Sequence, residues 1–272
     1  MPAKKKTTVA DVAEAAGVSK ATASQALSGK GRVAPATRRR IIKEAEKLGY
    51  KLPSASSGLG GLRALAVVIS LPGSSASSFL HFDYFMRLFN SATATALSAG
   101  YALAMVPDGE QGKPIEIHAS GVLWTDPLKG DRTMDKVRQL GVPIVSIGRE
   151  QPDGISPWID NDHCAGTKTM LNHLEKAGAH KIALVGSKPE SSYAADVIST
   201  YRQWCDTRDM PYTESLGADY SPEAGYKAAL ELLSSKDRPD AIYAFLDHLG
   251  AGALEAAAEL GIKVPDDLLV AV

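Results

Sequence analysis

The sequence predicts a small all-α headpiece followed by a larger α/β body, and three observations predict it. The first fifty residues hold three short apolar patterns at helical spacing. From Arg63 onward, short apolar runs alternate with longer amphipathic ones, which is the pattern of a parallel sheet covered by helices. The charge divides at the same place. Residues 1–62 hold twelve Lys or Arg against four Asp or Glu, a balance of +8; the remainder holds eighteen against twenty-seven, a balance of −9. A basic module joined to an acidic body has the charge of a polyanion-binding head, with nucleic acid as the obvious polyanion. A solvated basic face is the plainer alternative.

In the headpiece, Thr8 is an N-cap hydroxyl with Asp11 three residues on as its capping-box partner. Val9, Val12, Ala13 and Ala16 form one apolar face, and Gly17 ends the first helix. Ser19 caps a second helix from Lys20 to Leu27, with Ala23, Ala26 and Leu27 inward. Pro35 opens the third, as proline does at a first helical position. Its buried stripe is Ile41, Ala45 and Leu48, and Gly49 stops it. Two helices joined by a tight Gly-Val-Ser turn are a helix-turn-helix, and a DNA major groove is wide enough to admit the second one. GVSKATASQALSG (17–29) keeps that helix small and hydroxyl-bearing, so its axis can come close to base edges. Lys20 and Gln25 reach base edges there, Gln25 suiting adenine. Ala21 offers a methyl contact to thymine, and Thr22 and Ser24 can bond phosphate or bases. Arg38, Arg39, Arg40 and Lys43 hold the backbone, which positions the protein without specifying sequence.

In the body, LAVVISL (65–71), YALAMV, GVLW and VPIVSIG read as strands, with helices over about 82–98 and 133–140. After Trp158 the pattern restarts. Helices are expected over about 165–177, 194–208, 223–233 and 250–260, with strands at KIALVG, AIYAFL and LLVAV. Two such runs predict two Rossmann-like lobes, and the divisions expected are 1–51, 52–62, 63–158 and 159–272. At 272 residues more than one domain is expected. The two cysteines, Cys164 and Cys205, are far apart and in no metal-ligand spacing, which fits a reducing compartment. The opening MPAKKK is followed by no continuous apolar core, and no apolar run exceeds six residues, so a cytoplasmic protein without membrane contact is expected.

The stretch DVAEAAGVSKATASQALSGKGRVAPATRRRIIKEAEKLGY resembles the headpiece of the lactose-repressor (LacI/GalR) family of bacterial regulators, whose pattern runs roughly DVAxxAGVSxxTVSxxLN, then V, TR and GY. The resemblance implies that Lys20, Ala21 and Gln25 fall on base-reading positions. Thr8, Ser19, Arg32, Thr37, Arg38 and Tyr50 join Thr22 and Ser24 in the expected DNA-contacting set. Four positions depart from the pattern: Ala23 for Val, Gln25 for a commonly basic residue, Ser28 for Asn, and Ala34 for a capping Ser. The segment LPSASSGLGGL (52–62) has the composition of a flexible linker. In the family it forms a hinge helix on DNA, with a leucine wedged into the minor groove. Leu59 is the wedge expected here, although Gly58, Gly60 and Gly61 each disfavour a helix by roughly 1 kcal/mol relative to alanine.

More weakly, ASGVLW, VPIVSIGRE, WIDNDHCAGTKTMLNHL, AHKIALVG and GIKVPDDLLVAV resemble the family's effector-binding core. That core is similar to periplasmic sugar-binding proteins, with two lobes, a ligand between them and a dimer interface. The resemblance implies a core that is incomplete at its C-terminal end, and a reduced segment after MVPDG where the family usually has a helix. Ligands of open α/β lobes bind beyond the carboxyl ends of the strands. Those ends offer Phe79, Trp124, Asp126, Arg149, Tyr193, Asp247 and His248, a set suited to a sugar or another polar ring. The family's common cleft arginine falls near Val197, and its usual Asn before Asp247 is Leu246.

The expected partners are therefore a near-palindromic double-stranded operator, a small effector and a second copy of the chain, with no cofactor. A solute-binding or enzymatic α/β protein carrying a DNA-binding head is the alternative. No GxSxG, GxxxxGK[ST] or HExxH pattern is present, nor a GxGxxG after a strand. DNDHC (160–164) holds two carboxylates, an imidazole and a thiol, but adjacent side chains point to different faces and rarely meet one ion. His81, His118, His173 and His180 stand alone and read as surface or capping residues.

Overall fold

The computed structural model describes residues 7–27, 33–50, 63–70, 83–106, 119–151, 154–217 and 219–272. The linker 52–62 lies outside them, as do Arg32, Leu59, Phe79, His81, His118 and the segment after Val106 expected to be reduced.

The headpiece is α1 (Val9–Ala15), α2 (Lys20–Leu27) and α3 (Pro35–Lys47). Thr8 and Asp11 form the full capping box, with the Thr8 N–H donating to Asp11 Oδ2 at 2.6 Å. Gly17 and Gly49 both take φ of +59°, a left-handed conformation that reverses the chain after α1 and α3. The residue after each glycine returns a bond to its helix: Val18 N–H to Ala13 O, and Tyr50 N–H to Ala45 O. Val12, Ala23, Leu27, Ile41 and Ala45 make the core. Leu48 is a correction to the expected stripe. It is 41% exposed, because α3 ends at Lys47 and the Gly49 reversal brings Tyr50 onto the core.

The first sheet contains β1 (Arg63–Ile69), β2 (Tyr101–Val106), β3 (Gly121–Thr125), β4 (Ile144–Ile147) and β5 (Trp158–Ile159). Its order is β2-β1-β3-β4-β5 and every pair is parallel. Helices α4 (Asp83–Ser98) and α5 (Arg132–Gln139) belong to this half. Both sheet faces are covered, which is why its strands read as continuous apolar runs. Ala66, Val68, Val122, Trp124 and Ile144 pack with Met134 and Val137 of α5. Val67 and Ile69 join Phe85 of α4 in the largest core among the described residues. Asp131 caps α5, accepting from the backbone of Thr133 and Met134 at 2.9 and 3.0 Å.

The second sheet contains β6 (Ile182–Ser187), β7 (Glu214–Gly217), β8 (Ala241–Ala244) and β9 (Leu269–Ala271), again parallel, in the order β7-β6-β8-β9. Its helices are α6 (His163–Lys176), α7 (Ser192–Asp206), α8 (Pro222–Leu233) and α9 (Asp247–Glu259). Helices α8 and α9 approach backbone to backbone. A Cβ on Gly252 would stand 2.0 Å from Pro222 O, and one on Gly225 would stand 2.3 Å from Leu249 O. Tyr201 ties α7 to the sheet, donating to Ile182 O and accepting from the Thr213 N–H, each at 2.9 Å. Two strands were not expected from the sequence, β5 and β7. Both lie at sheet edges, and neither carries a buried apolar run. Helix α9 begins three residues earlier than its pattern indicates, and Leu246 at its N-cap gives no side-chain bond. Among the described residues no helix is long and apolar enough to cross a membrane, and no group of three or more His, Cys, Asp or Glu is placed to hold a metal.

Candidate DNA interface and effector cleft

The DNA-contacting candidates gather on one side of the headpiece's second helix. Lys20, Ala21, Ser24 and Gln25 are exposed, while Ala23, Ala26 and Leu27 are buried behind them. Spacing of one, four and five residues puts the exposed four on one face. Ser19 and Thr22 hold the start of the helix. The Thr22 N–H donates to Ser19 Oγ at 3.1 Å, and the two hydroxyls bond each other at 2.8 Å. Thr8 is likewise occupied as the cap of α1. Thr37 and Arg38 are partly buried on α3, Arg39, Arg40 and Lys43 are exposed there, and Tyr50 packs on the head's core.

The body contains a cleft of about 310 Å³. Its walls come from the carboxyl ends of the strands in both sheets. Ser70 follows β1, Asp126 follows β3, Ile147 ends β4, and Asp160 and Asn161 follow β5. From the other sheet come Tyr220 after β7, and Phe245, Leu246 and Asp247 after β8. The strand order reverses between β1 and β3 and again between β6 and β8, and such switch points open crevices for ligands. Tyr84 and Phe85 of α4, His163 of α6 and Tyr193 of α7 complete much of the lining.

Asp126 is strongly perturbed in the cleft. Burial pushes its carboxyl up to about 7, and the neighbouring Asp160 adds to the rise. Its φ is +50°, and its N–H donates to Ile147 O at 2.8 Å, continuing the ladder one residue past the strand. Asp160 is held from several sides. It accepts the Asn161 N–H at 2.8 Å and the Ser192 hydroxyl at 3.4 Å, and its Oδ1 lies 2.8 Å from His163 Nε2. The His163 ring meets Tyr193 edge-on at 4.7 Å, and Tyr193 meets Phe245 at 5.7 Å. The Tyr193 hydroxyl donates to Phe245 O, and burial pushes its pKa well above the usual phenol value.

Of the effector residues expected from sequence, Asp126, Tyr193 and Asp247 are brought together on the cleft wall. Trp124 and Arg149 are not. Trp124 shares the face of Val122 and is fully buried beneath α5, its indole N–H donating to Ser70 Oγ at 3.2 Å. Arg149 is drawn away by Asp196, with which it forms an ion pair, and its guanidinium lies over Trp158 at 5.7 Å. His248 is outside the lining and bonds Asp247. Phe79 falls outside the described residues. Asp160, His163, Tyr84, Tyr220 and Phe245 were missed. Asp160 and His163 sit in DNDHC, a stretch whose density of polar types was its only signal.

The helix-turn-helix head and the two-sheet body with a cleft at its strand ends define a class, the DNA-binding transcriptional regulators with a periplasmic-binding-protein-like core. Residues 8–53 match the model of bacterial regulatory proteins of the lacI family, and residues 171–272 match that of the periplasmic binding protein-like domain. The chain thus carries a lacI-type DNA-binding domain and a periplasmic-binding-protein-like domain. It is 23% identical to catabolite control protein A of Priestia megaterium, over 96% of this chain and 80% of that protein. It is 27% identical to the transcriptional repressor CytR of Escherichia coli K12, over 99% and 81%. Among solved structures, the complex of the regulator CelR with cellobiose superposes with a TM-score of 0.66 at 22% identity, covering 97% of this chain and 82% of that one. The lac repressor dimer bound to operator and an anti-inducer gives 0.62 at 22% identity, covering 98% and 82%.

Proposed function

We propose that the chain is an effector-controlled repressor that binds a near-palindromic operator as a homodimer, with α2 of each copy in a major groove and a small polar molecule in the cleft. The observation that carries this reading is the exposed Lys20–Ala21–Ser24–Gln25 face on a basic head, joined in one chain to a cleft built at strand ends. Dimeric binding to two half-sites is the usual geometry of a helix-turn-helix. A solved neighbour is a repressor dimer on operator, and another holds cellobiose. On this reading residues 1–51 form the DNA-binding unit, 52–62 the hinge, and 63–158 and 159–272 the two lobes. Ligand binding changes the lobe arrangement and so the spacing of the heads, which acts on DNA affinity and consumes no ligand. Such a protein works in the cytoplasm, where the operator is.

Fluorescence anisotropy on an operator duplex tests it, with and without candidate small molecules. The expected result is a change in duplex affinity of about 5- to 150-fold, abolished by Tyr193→Ala and with the ligand recovered chemically unchanged. Turnover of the ligand, or a Tyr193→Ala chain that responds normally, contradicts the reading.

A further inference from the structure

The charge of the cleft narrows what it can hold. Its described lining carries four carboxylates, those of Asp83, Asp126, Asp160 and Asp247, and neither a lysine nor an arginine. The two more exposed ones have partners beside them: Asp83 pairs with Arg87 at 2.8 Å, and Asp247 bonds His248. Asp126 and Asp160 are the inner pair: both line the cleft, and the Asp160 charge opposes ionisation of Asp126. Asp160 already accepts from the Asn161 N–H and the Ser192 hydroxyl and lies 2.8 Å from His163 Nε2. Arg149 acts on Asp160 from outside the lining and is already bound to Asp196. No hydrogen bond from a described residue reaches the Asp126 carboxylate.

The aromatic wall points the same way. The Tyr193 hydroxyl is committed to Phe245 O, and Ser187 and Ser191 act on that of Tyr220 from inside the protein. These residues line the cleft with aromatic rings, whose faces carry the negative end of the ring quadrupole and attract cations. Phe245 adds a third ring without any donor. A volume of about 310 Å³ is at the small end of ligand pockets, which run to about 1,000 Å³.

We infer that the effector is a small organic cation, with an ammonium group held between Asp126 and Asp160 and a compact body lying against Tyr193, Tyr220 and Phe245. This rests on the reading of the cleft as the effector site. A cation removes the repulsion between the two inner carboxylates and is attracted by the ring faces. A neutral sugar hydrogen-bonds the carboxylates and leaves their repulsion in place, and an anion adds to it.

Matched probes decide the matter. Calorimetry on the full chain compares choline with its uncharged carbon isostere, and benzylammonium with benzyl alcohol, with glucose and cellobiose as neutral sugars. Each charged probe is expected to bind at least tenfold tighter than its isostere. Asp126→Asn, which keeps shape and tolerates a positive φ, is expected to reduce that preference at least tenfold, its fold being checked by circular dichroism. If the variant does not fold, the comparison on the native chain still decides. Equal or tighter binding by the isosteres or by the sugars overturns the cation and leaves the effector site standing. Failure of both charged probes to bind at millimolar concentration overturns it as well. The effector reading itself falls only if no small molecule alters operator affinity.

Discussion

Gly148 and Asp126 share one corner of the cleft: a Cβ on Gly148 would stand 3.0 Å from Asp126 Oδ1 and 3.4 Å from its Cα. Gly148 also takes φ of +88°, which L side chains rarely adopt. The carboxylate therefore occupies space that only glycine leaves open. Gly148→Ala is expected to destabilise the fold by about 1–2 kcal/mol through backbone strain and to displace Asp126. Thermal melts check the first effect, and loss of ligand affinity in the cleft checks the second.

Asp126 also makes stability depend on pH. Its carboxyl rises from an ordinary 3.8 to about 7 in the fold, so the native state binds a proton more tightly than the unfolded chain. The charged groups acting on it are those of the cleft, Asp160 first, with the Tyr84, Tyr193 and Tyr220 phenols neutral beside it. Stability from this group is complete below about pH 4, falls as pH rises through 7, and is lost above it. The full difference is at most about 4 kcal/mol. Asp126→Asn should flatten the decline between pH 4 and 7 and raise the melting temperature at pH 8. A variant that melts lower than the native chain at pH 8 contradicts the burial of a carboxylate that no described residue bonds.

The α8–α9 contact sets a packing test. Helices that touch at Gly225 and Gly252 have no room for a methyl group against Pro222 O or Leu249 O. Gly252→Ala is expected to cost about 3 kcal/mol by overpacking, although alanine is the better helix former. Chemical denaturation measures it, and a neutral or stabilising result would mean that the helices separate at no cost.

On the head, Gln25 and Arg39 should fail differently when truncated. Gln25 sits on the exposed face of α2, and Arg39 is exposed on α3. Gln25→Ala is expected to relax base choice at one operator position, by about 1–3 kcal/mol there. Arg39→Ala is expected to weaken all duplexes alike and to lower the salt slope by about one. Binding to a panel of singly substituted duplexes at several salt concentrations separates the two. A uniform loss from Gln25→Ala would remove it from base reading.

The head was readable because its signals are local. Thr8 with Asp11, and Gly17 and Gly49 at the helix ends, act within a few residues, and the structure shows each acting so. The strands were readable because parallel strands buried on two faces are continuous apolar runs. What escaped was set by neighbours distant in sequence. Trp158 and Ile159 become a strand because β4 lies beside them, not through any core of their own. The cleft was half legible because alternation holds only as far as the strand does. Trp124 shares the face of Val122 and goes to the core; Asp126 has the same parity, but its φ of +50° leaves the extended conformation just past the strand, and it reaches the cleft. Arg149 looked like a ligand contact because nothing near it in sequence showed that Asp196 would capture it.

Selection of bound duplexes from a random pool, read by sequencing at two salt concentrations, is the most direct measurement. A sequence-specific regulator enriches a near-palindrome whose half-sites are spaced for two copies of α2, and the consensus persists as salt rises. Binding that falls with salt and enriches no sequence would mean that the head is a basic patch and that α2 reads no bases.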